Sequence, residues 1–408
     1  MADRLERGRT RVIGFADAEM DFQLIRQMGV ARYGGAAVGE CLALARDIEN
    51  AEPSSWVAAF AAAAARQQAD AEARAARNHA VSARDRYLVA CNSWRAAEYY
   101  TPVGDARHAR FGLASRACFE AAMRLSAEWA CEAVMLPFAG ISLPAFHLRP
   151  ATEQGPGKTL LIISGYDGTL EETFLSQGRA ALERGYRVFL FSGPGQMDAM
   201  RFHPEQPFIP EFEQVGVAAV DHVLARGDTD PGRIALMGIS FGGYFATRIA
   251  AYEPRIRALV ANSPIIDLHA YMTSFVGFDP ADMPDSDDFR VGDLDHIPDS
   301  EMPPQIREMS RNLMLRFGGG SFKETYRRLH AYRIDGERLA GMRCAALGLV
   351  GSGEGAEPVA QYERFLAGVA GAAGHVFTAE DGAEGHCQAG NLALSAAVAL
   401  DWLDEVLA

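Results

Sequence analysis

Several things are missing from this chain, and each absence narrows what it can be. The six cysteines (Cys41, Cys91, Cys118, Cys131, Cys344, Cys387) are scattered and contain no C-x-x-C pair. A disulfide framework is therefore not expected, and reduced thiols in a cytoplasmic protein are. Positive charge is in deficit: the formal net charge is -14 and the sequence pI about 5.2. Nucleic acid and anionic membrane surfaces would be repelled, which leaves small molecules as the expected partners. No uninterrupted apolar run reaches the roughly eighteen residues of a membrane span. The opening stretch MADRLERGRTRVIGFADAEMDF carries basic residues but no apolar core of a secretory leader. Apart from an alanine-rich patch there is no low-complexity tract. With 408 residues, 49% hydrophobic and 23% charged, the chain is globular in composition and long enough for two domains.

What is present centres on residues 233–246, RIALMGISFGGYFA. An apolar strand-like run, Ile234 to Met237, meets Gly238-Ile239-Ser240-Phe241-Gly242 and then the start of a helix. This is the G-x-S-x-G nucleophile elbow, in which a strained strand-to-helix turn lifts a serine hydroxyl clear of a sheet. Side chains at Gly238 and Gly242 would collide with neighbouring backbone. Ser240 is accordingly the expected nucleophile, at a helix N-terminus whose free N–H groups favour developing negative charge.

The rest of the chain reads in two parts. From Asp21 to about Cys131 it is helical: Ala36 to Ile48, Ser54 to Arg86, Arg84 to Tyr100 and Ala106 to Trp129, with breaks at Pro53-Ser54-Ser55 and Thr101 to Asp105. The alanines 61–65 suit close helix packing. At Glu132 the rhythm changes to a hairpin, Glu132–Phe138 and Ile141–Leu148 about Ala139-Gly140. Buried strands near 159–163, 187–191, 234–237, 258–261, 344–350 and 375–378 then alternate with helical segments. The expected fold is α/β, a mostly parallel sheet flanked by helices (132–408) under an all-helical N-terminal cap (1–131). The carboxylate- and proline-rich loop from Asp279 to Glu301 has no His/Asp/Glu spacing that matches a ligand pattern, so no metal is expected there.

A serine needs a base, a group to orient the base, and donors for an oxyanion. In this architecture the chain order is Ser, acid, His. The base is then His386, after the last strand, whereas His375 begins that strand and is held away. For the acid, Gly351-Ser-Gly-Glu-Gly-Ala-Glu-Pro358 places Glu354 at the expected turn, with Glu357 and Asp267 as rivals. The oxyanion donors are the N–H groups of Phe241 and of Tyr166, in Ser164-Gly-Tyr-Asp-Gly168. Asp167 projects near the pocket floor, as a proton donor or as an N-cap for the helix starting near Leu170. Trp94, Tyr99 and Tyr100 can line an aromatic pocket or pack in the core.

Several longer stretches carry a resemblance: Trp94 to Tyr100, Arg116 to Phe119, Gly165 to Glu172, Gly193-Pro-Gly-Gln196, Gly238 to Gly243 and Gly385-His-Cys-Gln388. On these the chain resembles the alpha/beta hydrolases with an N-terminal helical cap, the 2,6-dihydroxypseudooxynicotine hydrolase and FrsA-like group, over nearly its full length. The resemblance implies Ser240 as nucleophile, His386 as base, Glu354 at a position usually held by aspartate, and Asp167 on a pocket carboxylate implicated in catalysis. Met197 stands where a glycine is usual. It further implies hydrolysis of an acyl carbon–carbon or ester bond in a small aromatic or polyketide-like molecule, no cofactor, and compatibility with a homodimer. Two other readings remain: a lyase eliminating a carboxylate such as acetate, and a non-catalytic binding protein on a hydrolase fold.

Overall fold

The computed structural model describes residues 10–408 apart from 154 and 299; the first nine residues, part of the basic opening stretch, lie outside the described residues. Among the described residues eight strands form one sheet in the order β1-β2-β4-β3-β5-β6-β7-β8. They are β1 (Trp129–Phe138), β2 (Ile141–Pro150), β3 (Gly157–Ile163), β4 (Arg187–Phe191), β5 (Thr229–Ile239), β6 (Ala258–Asn262), β7 (Ala345–Gly351) and β8 (Ala373–Phe377). From β4 across to β8 neighbours run parallel, while β1, β2 and β4 pair antiparallel. β4 and β6 are buried at every position because helices cover both faces, which is why they read as unbroken apolar runs. The hairpin turn at Ala139 and Gly140 has φ of 46° and 86°, the left-handed pair that matches the twist of the flanking strands.

Among the described residues five α-helices precede the sheet: α1 (Ala18–Gly29), α2 (Val38–Ala45), α3 (Pro53–Ala75), α4 (Ala80–Tyr100) and α5 (Ala106–Arg124). Two details differ from the sequence expectation. The helix expected over Ser54 to Arg86 is broken after Ala75, where Asn78 takes φ 61°, a conformation asparagine tolerates better than most residues. The last helix stops at Arg124 rather than Trp129, because the Ser126 hydroxyl accepts the N–H groups of Glu128 and Trp129 and ends the ladder. β1 thus starts at Trp129, three residues before the expected change at Glu132. Ala63, Ala64 and Ala71 are buried on α3 against α4, the close approach that the alanine run predicts.

A buried ion cluster joins the helical region to the sheet. Arg201 bonds Glu98 of α4 (2.6 Å), Asp198 (2.8 Å) and Glu171 (3.2 Å), all with side chains at most 2% exposed. Burial pushes the Asp198 carboxyl up to about 8, against the pull of Arg201. Gly112 of α5 makes room for it: a Cβ there would lie 2.0 Å from Glu98 Oε1. Removing one member would strand the others and cost about 3–5 kcal/mol. Among the described residues no helix is long and apolar enough to cross a membrane.

Candidate active site

The turn between β5 and the helix Gly242–Tyr252 holds Ser240 at φ 61°, a strained value for a residue with a side chain. Its N–H donates to the carbonyl of Asn262 at the end of β6 (2.5 Å), which ties the turn to the next strand. The glycines are there for space. A Cβ at Gly238 would sit 2.0 Å from the Gly242 carbonyl oxygen, and one at Gly242 would sit 2.5 Å from that of Ile163.

His386 arrives on the loop after β8. Its Nε2 lies 2.8 Å from Ser240 Oγ, and its Nδ1 lies 2.6 Å from Glu354 Oε2. Gln388 anchors this loop from below, accepting from Asn262 Nδ2 (2.7 Å) and from the Ser395 hydroxyl (3.0 Å) through Oε1. Glu354 is 4% exposed and fully engaged: it also accepts the Gly351 N–H at 2.9 Å and the Ser263 hydroxyl at 2.9 Å and 3.1 Å. The extra methylene of a glutamate is accommodated because the chain turns back over Gly353 and Gly355, the latter at φ 108°. With Glu354 accepting at Nδ1, that nitrogen carries the proton, so in the neutral ring Nε2 faces Ser240 as an acceptor. Burial alone would lower the imidazole pKa, but Cys387 and Glu354 outweigh it and raise His386 to about 10.

The two rival acids are occupied elsewhere. Asp267 caps the helix Leu268–Val276 by accepting from Ala270 N–H (3.0 Å), and Glu357 bonds Gln361 and Arg364 in the first turn of the helix Ala356–Gly368. His375 lies within β8, packed against Phe377.

The Ser164–Gly168 loop passes directly over the elbow. A Cβ at Gly165 would come within 2.7 Å of Ser240 Cβ and 2.9 Å of Phe241 N. Among the described residues the N–H groups of Tyr166 and Phe241 have no hydrogen-bond partner, so both are available to a ligand oxygen. The Tyr166 ring points away from the cleft, its hydroxyl donating to Asn312 Oδ1 (3.1 Å). Two residues that the sequence reading did not single out fix this loop. Gln196 Nε2 donates to the carbonyls of Ser164 (2.6 Å) and Gly165 (3.1 Å), and Arg316 donates to the carbonyls of Gly195 (2.9 Å from Nε) and Tyr166 while its guanidinium lies 3.8 Å from the Tyr166 ring centroid. Gln196 belongs to the Gly193-Pro-Gly-Gln196 stretch, a signal that was readable. Arg316 had none, since it comes from the helix Pro304–Phe317, far along the chain.

Asp167 is not the helix cap. Thr169 takes that place, accepting from Glu172 N–H, and Asp167 pairs with Arg26 of α1 at 3.2 Å. Arg26 also binds Glu172 at 2.5 Å, and these two carboxylates hold its guanidinium charged well beyond its ordinary range although burial opposes it. A cleft opens beside Ser240 and His386. It is lined by Phe22, Arg26 and Val30 from α1 and the turn after it, by Asp167, Gly168 and Ile239, and by Cys387, Ala389 and Leu392. The expected aromatic wall of Trp94, Tyr99 and Tyr100 is not part of it. Trp94 donates to Gln68 and stacks on Phe111, Tyr100 packs on Trp56, and Tyr99 donates to Glu19 with Arg26 5.5 Å from its ring centroid. The reason is layering. α1 packs between α4 and the turn after His386, so close that a Cβ on Gly29 would meet the Ala389 carbonyl oxygen at 2.1 Å, and it lines the cleft with Phe22 and Arg26.

Residues 211–289, which include the elbow, match the prolyl oligopeptidase family model (Peptidase_S9). The chain is similar to alpha/beta hydrolase xenA of Xenoacremonium sinensis, 36% identical over 258 residues that make up 61% of this chain and 60% of that protein. It is also similar to 20-hydroxy-prefusarin hydrolase FUS2 of Gibberella moniliformis, 33% identical over 266 residues, 62% of each chain. The aligned part thus spans about three fifths of these curated relatives. Among solved structures, 2,6-dihydroxy-pseudo-oxynicotine hydrolase superposes with a TM-score of 0.72 at 21% identity, covering 93% of this chain and 95% of that one.

Proposed function

We propose that this chain, an alpha/beta hydrolase by fold and by its similarity to named hydrolases, is a serine-dependent hydrolase cleaving an acyl carbon–carbon or ester bond of a small aromatic or polyketide-like molecule. The observation that carries the reading is the unbroken line from Glu354 through His386 to Ser240, at 2.6 Å and 2.8 Å, ending at the wall of a cleft. Once the ring is neutral, His386 takes the Ser240 proton as Oγ attacks the carbonyl carbon, and the carbonyl π electrons move onto oxygen. The N–H groups of Phe241 and Tyr166 receive that oxyanion, and the adjacent helix N-terminus adds favourable potential. Collapse of the tetrahedral adduct breaks the acyl bond, and the imidazolium returns its proton to the leaving oxygen or carbon. Water, deprotonated by the same imidazole, then releases the acid and restores Ser240.

Glu354 holds the ring in register and offsets the imidazolium charge. Asp167, held by Arg26, offers its carboxylate to a substrate hydroxyl and so aligns the reacting carbonyl. The helices before β1 act as the cap, with α1 closing the cleft and excluding water. The substrate class rests on small-molecule relatives, one named for 20-hydroxy-prefusarin and a structural neighbour named for 2,6-dihydroxy-pseudo-oxynicotine. The test pairs a fluorophosphonate probe with turnover of an activated ester in oxygen-18 water. The expected result is stoichiometric labelling at Ser240, loss of both labelling and turnover in Ser240→Ala, and heavy oxygen in the acid product. Turnover that survives Ser240→Ala, or acid product without heavy oxygen, would overturn covalent hydrolysis and favour elimination.

A further inference from the structure

Between β6 and β7 the chain makes a long excursion, residues 263–344, away from the sheet. On it, the first turn of the helix Leu268–Val276 places His269 beside Asp279, which starts the short turn Pro280–Asp282. His269 Nε2 lies 3.2 Å from Asp279 Oδ1. His330, directly after the helix Phe322–Leu329, stacks its ring on that of His269 with centroids 3.6 Å apart. One ligand atom from each of the three lies within 4.8 Å of the others. Among the described residues neither ring nitrogen of His330 has a hydrogen-bond partner, and no lysine or arginine pairs with Asp279. Two imidazoles and a carboxylate, brought from separate segments and not neutralised by a protein cation, are an unusual thing to leave on a surface.

We propose that His269, Asp279 and His330 form a binding site for a divalent transition metal of the Zn²⁺ class. The donor set decides the class: imidazole nitrogen with one carboxylate suits Zn²⁺, Co²⁺, Ni²⁺ or Cu²⁺, whereas Mg²⁺ and Ca²⁺ take oxygen-rich shells. The spacing agrees. Ligands held about 2.0–2.1 Å from a tetrahedral ion stand roughly 3.4 Å apart, and the His269–Asp279 pair is already at 3.2 Å. His330 is the exposed member, and one of its ring nitrogens already lies within 4.8 Å of the other two ligand atoms. Asp279 Oδ1 also accepts the Ala281 N–H at 2.9 Å, the kind of outer contact that orients a ligating carboxylate. Solvent supplies the fourth position. The loop from Asp279 to Glu301 has no His/Asp/Glu spacing of a ligand set by itself, and two of the three residues, His269 and His330, lie outside it. The ion would staple the start of one helix to the end of another, so its expected role is to brace the excursion, which also carries Arg316.

The test uses the 408-residue chain without a tag, after chelator treatment, titrated with Zn²⁺ by calorimetry and with Co²⁺ by visible absorption. One saturable site is expected, with the intense ligand-field bands of low-coordinate Co²⁺ and a melting temperature that rises on Zn²⁺ addition. His269→Ala, Asp279→Asn and His330→Ala should each weaken binding by at least the roughly 10–100-fold that follows loss of an outer partner, while His296→Ala on the nearby loop leaves it unchanged. His330 is exposed, so its variant tests the site without unfolding the core. Wild-type protein that takes up no Zn²⁺, or a site that survives all three ligand substitutions because the ion sits at His386 and Cys387 instead, would overturn the proposal.

Discussion

Replacing Glu354 by glutamine removes the charge and one of two acceptor oxygens while keeping the length of the side chain. The single amide oxygen can face His386 Nδ1, the place of Oε2, or keep the Gly351 N–H that Oε1 accepts at 2.9 Å, and not both. What disappears is the negative partner 2.6 Å from His386 Nδ1. A charge-assisted hydrogen bond is worth about 1.5–3 kcal/mol. At about 1.4 kcal/mol per factor of ten, that predicts a roughly 10–150-fold fall in kcat/KM. If the amide turns its NH₂ toward Nδ1, the ring is locked in the wrong tautomer and the loss extends toward ~10⁴-fold. The pH profile supplies a second, independent signature. Glu354 is one of the two groups that raise His386 to about 10 from an ordinary 6.5, and the reaction needs the neutral ring. Wild-type activity should therefore climb with pH through the neutral range and beyond. In Glu354→Gln the same limb should move down toward the ordinary value while its plateau drops. The assay is kcat/KM for an activated ester from about pH 5 to pH 10, with circular dichroism to verify the fold. A variant within about threefold of wild type whose limb has not moved would refute the relay and return Glu354 to a packing role.

Two further substitutions probe the oxyanion loop. Gly165→Ala puts a Cβ 2.7 Å from Ser240 Cβ and 2.8 Å from the Ile239 carbonyl oxygen, so the loop must lift away. Losing the Tyr166 donor in this way should lower kcat by about 10²–10³-fold, read from the rate of fluorophosphonate labelling and of steady-state turnover. Arg316→Met leaves the Gly195 and Tyr166 carbonyls without their shared donor. Each buried group left unsatisfied costs about 1–3 kcal/mol. The expected result is a lower melting temperature together with a fall in kcat at nearly constant KM, partly restored by Arg316→Lys. A drop in stability with kcat unchanged would mean that Arg316 only packs.

How far the sequence reaches is clearest at the site. Ser240 was readable because its segment's glycines, Gly238 and Gly242, serve a tight local turn, and His386 because it follows the last strand, whereas Glu354 was one of three carboxylates the chain offered. Strand positions were readable for a similar reason, since a strand covered on both faces must be apolar throughout. The aromatic residues of α4 were misplaced as a possible pocket wall because helical periodicity reports which face is buried and not what buries it.

Local chain chemistry by itself determined the alternation of strand and helix and the strained serine turn, since each depends on steric and hydrogen-bonding demands within a few residues. Only the tertiary structure decided which carboxylate meets the imidazole, that α1 lines the cleft with Phe22 and Arg26, that Arg316 grips the loop over the elbow, and that His269 meets His330. Those are contacts between segments distant in the chain. They are set by the packing of whole elements against one another, and no local pattern of residues encodes that packing.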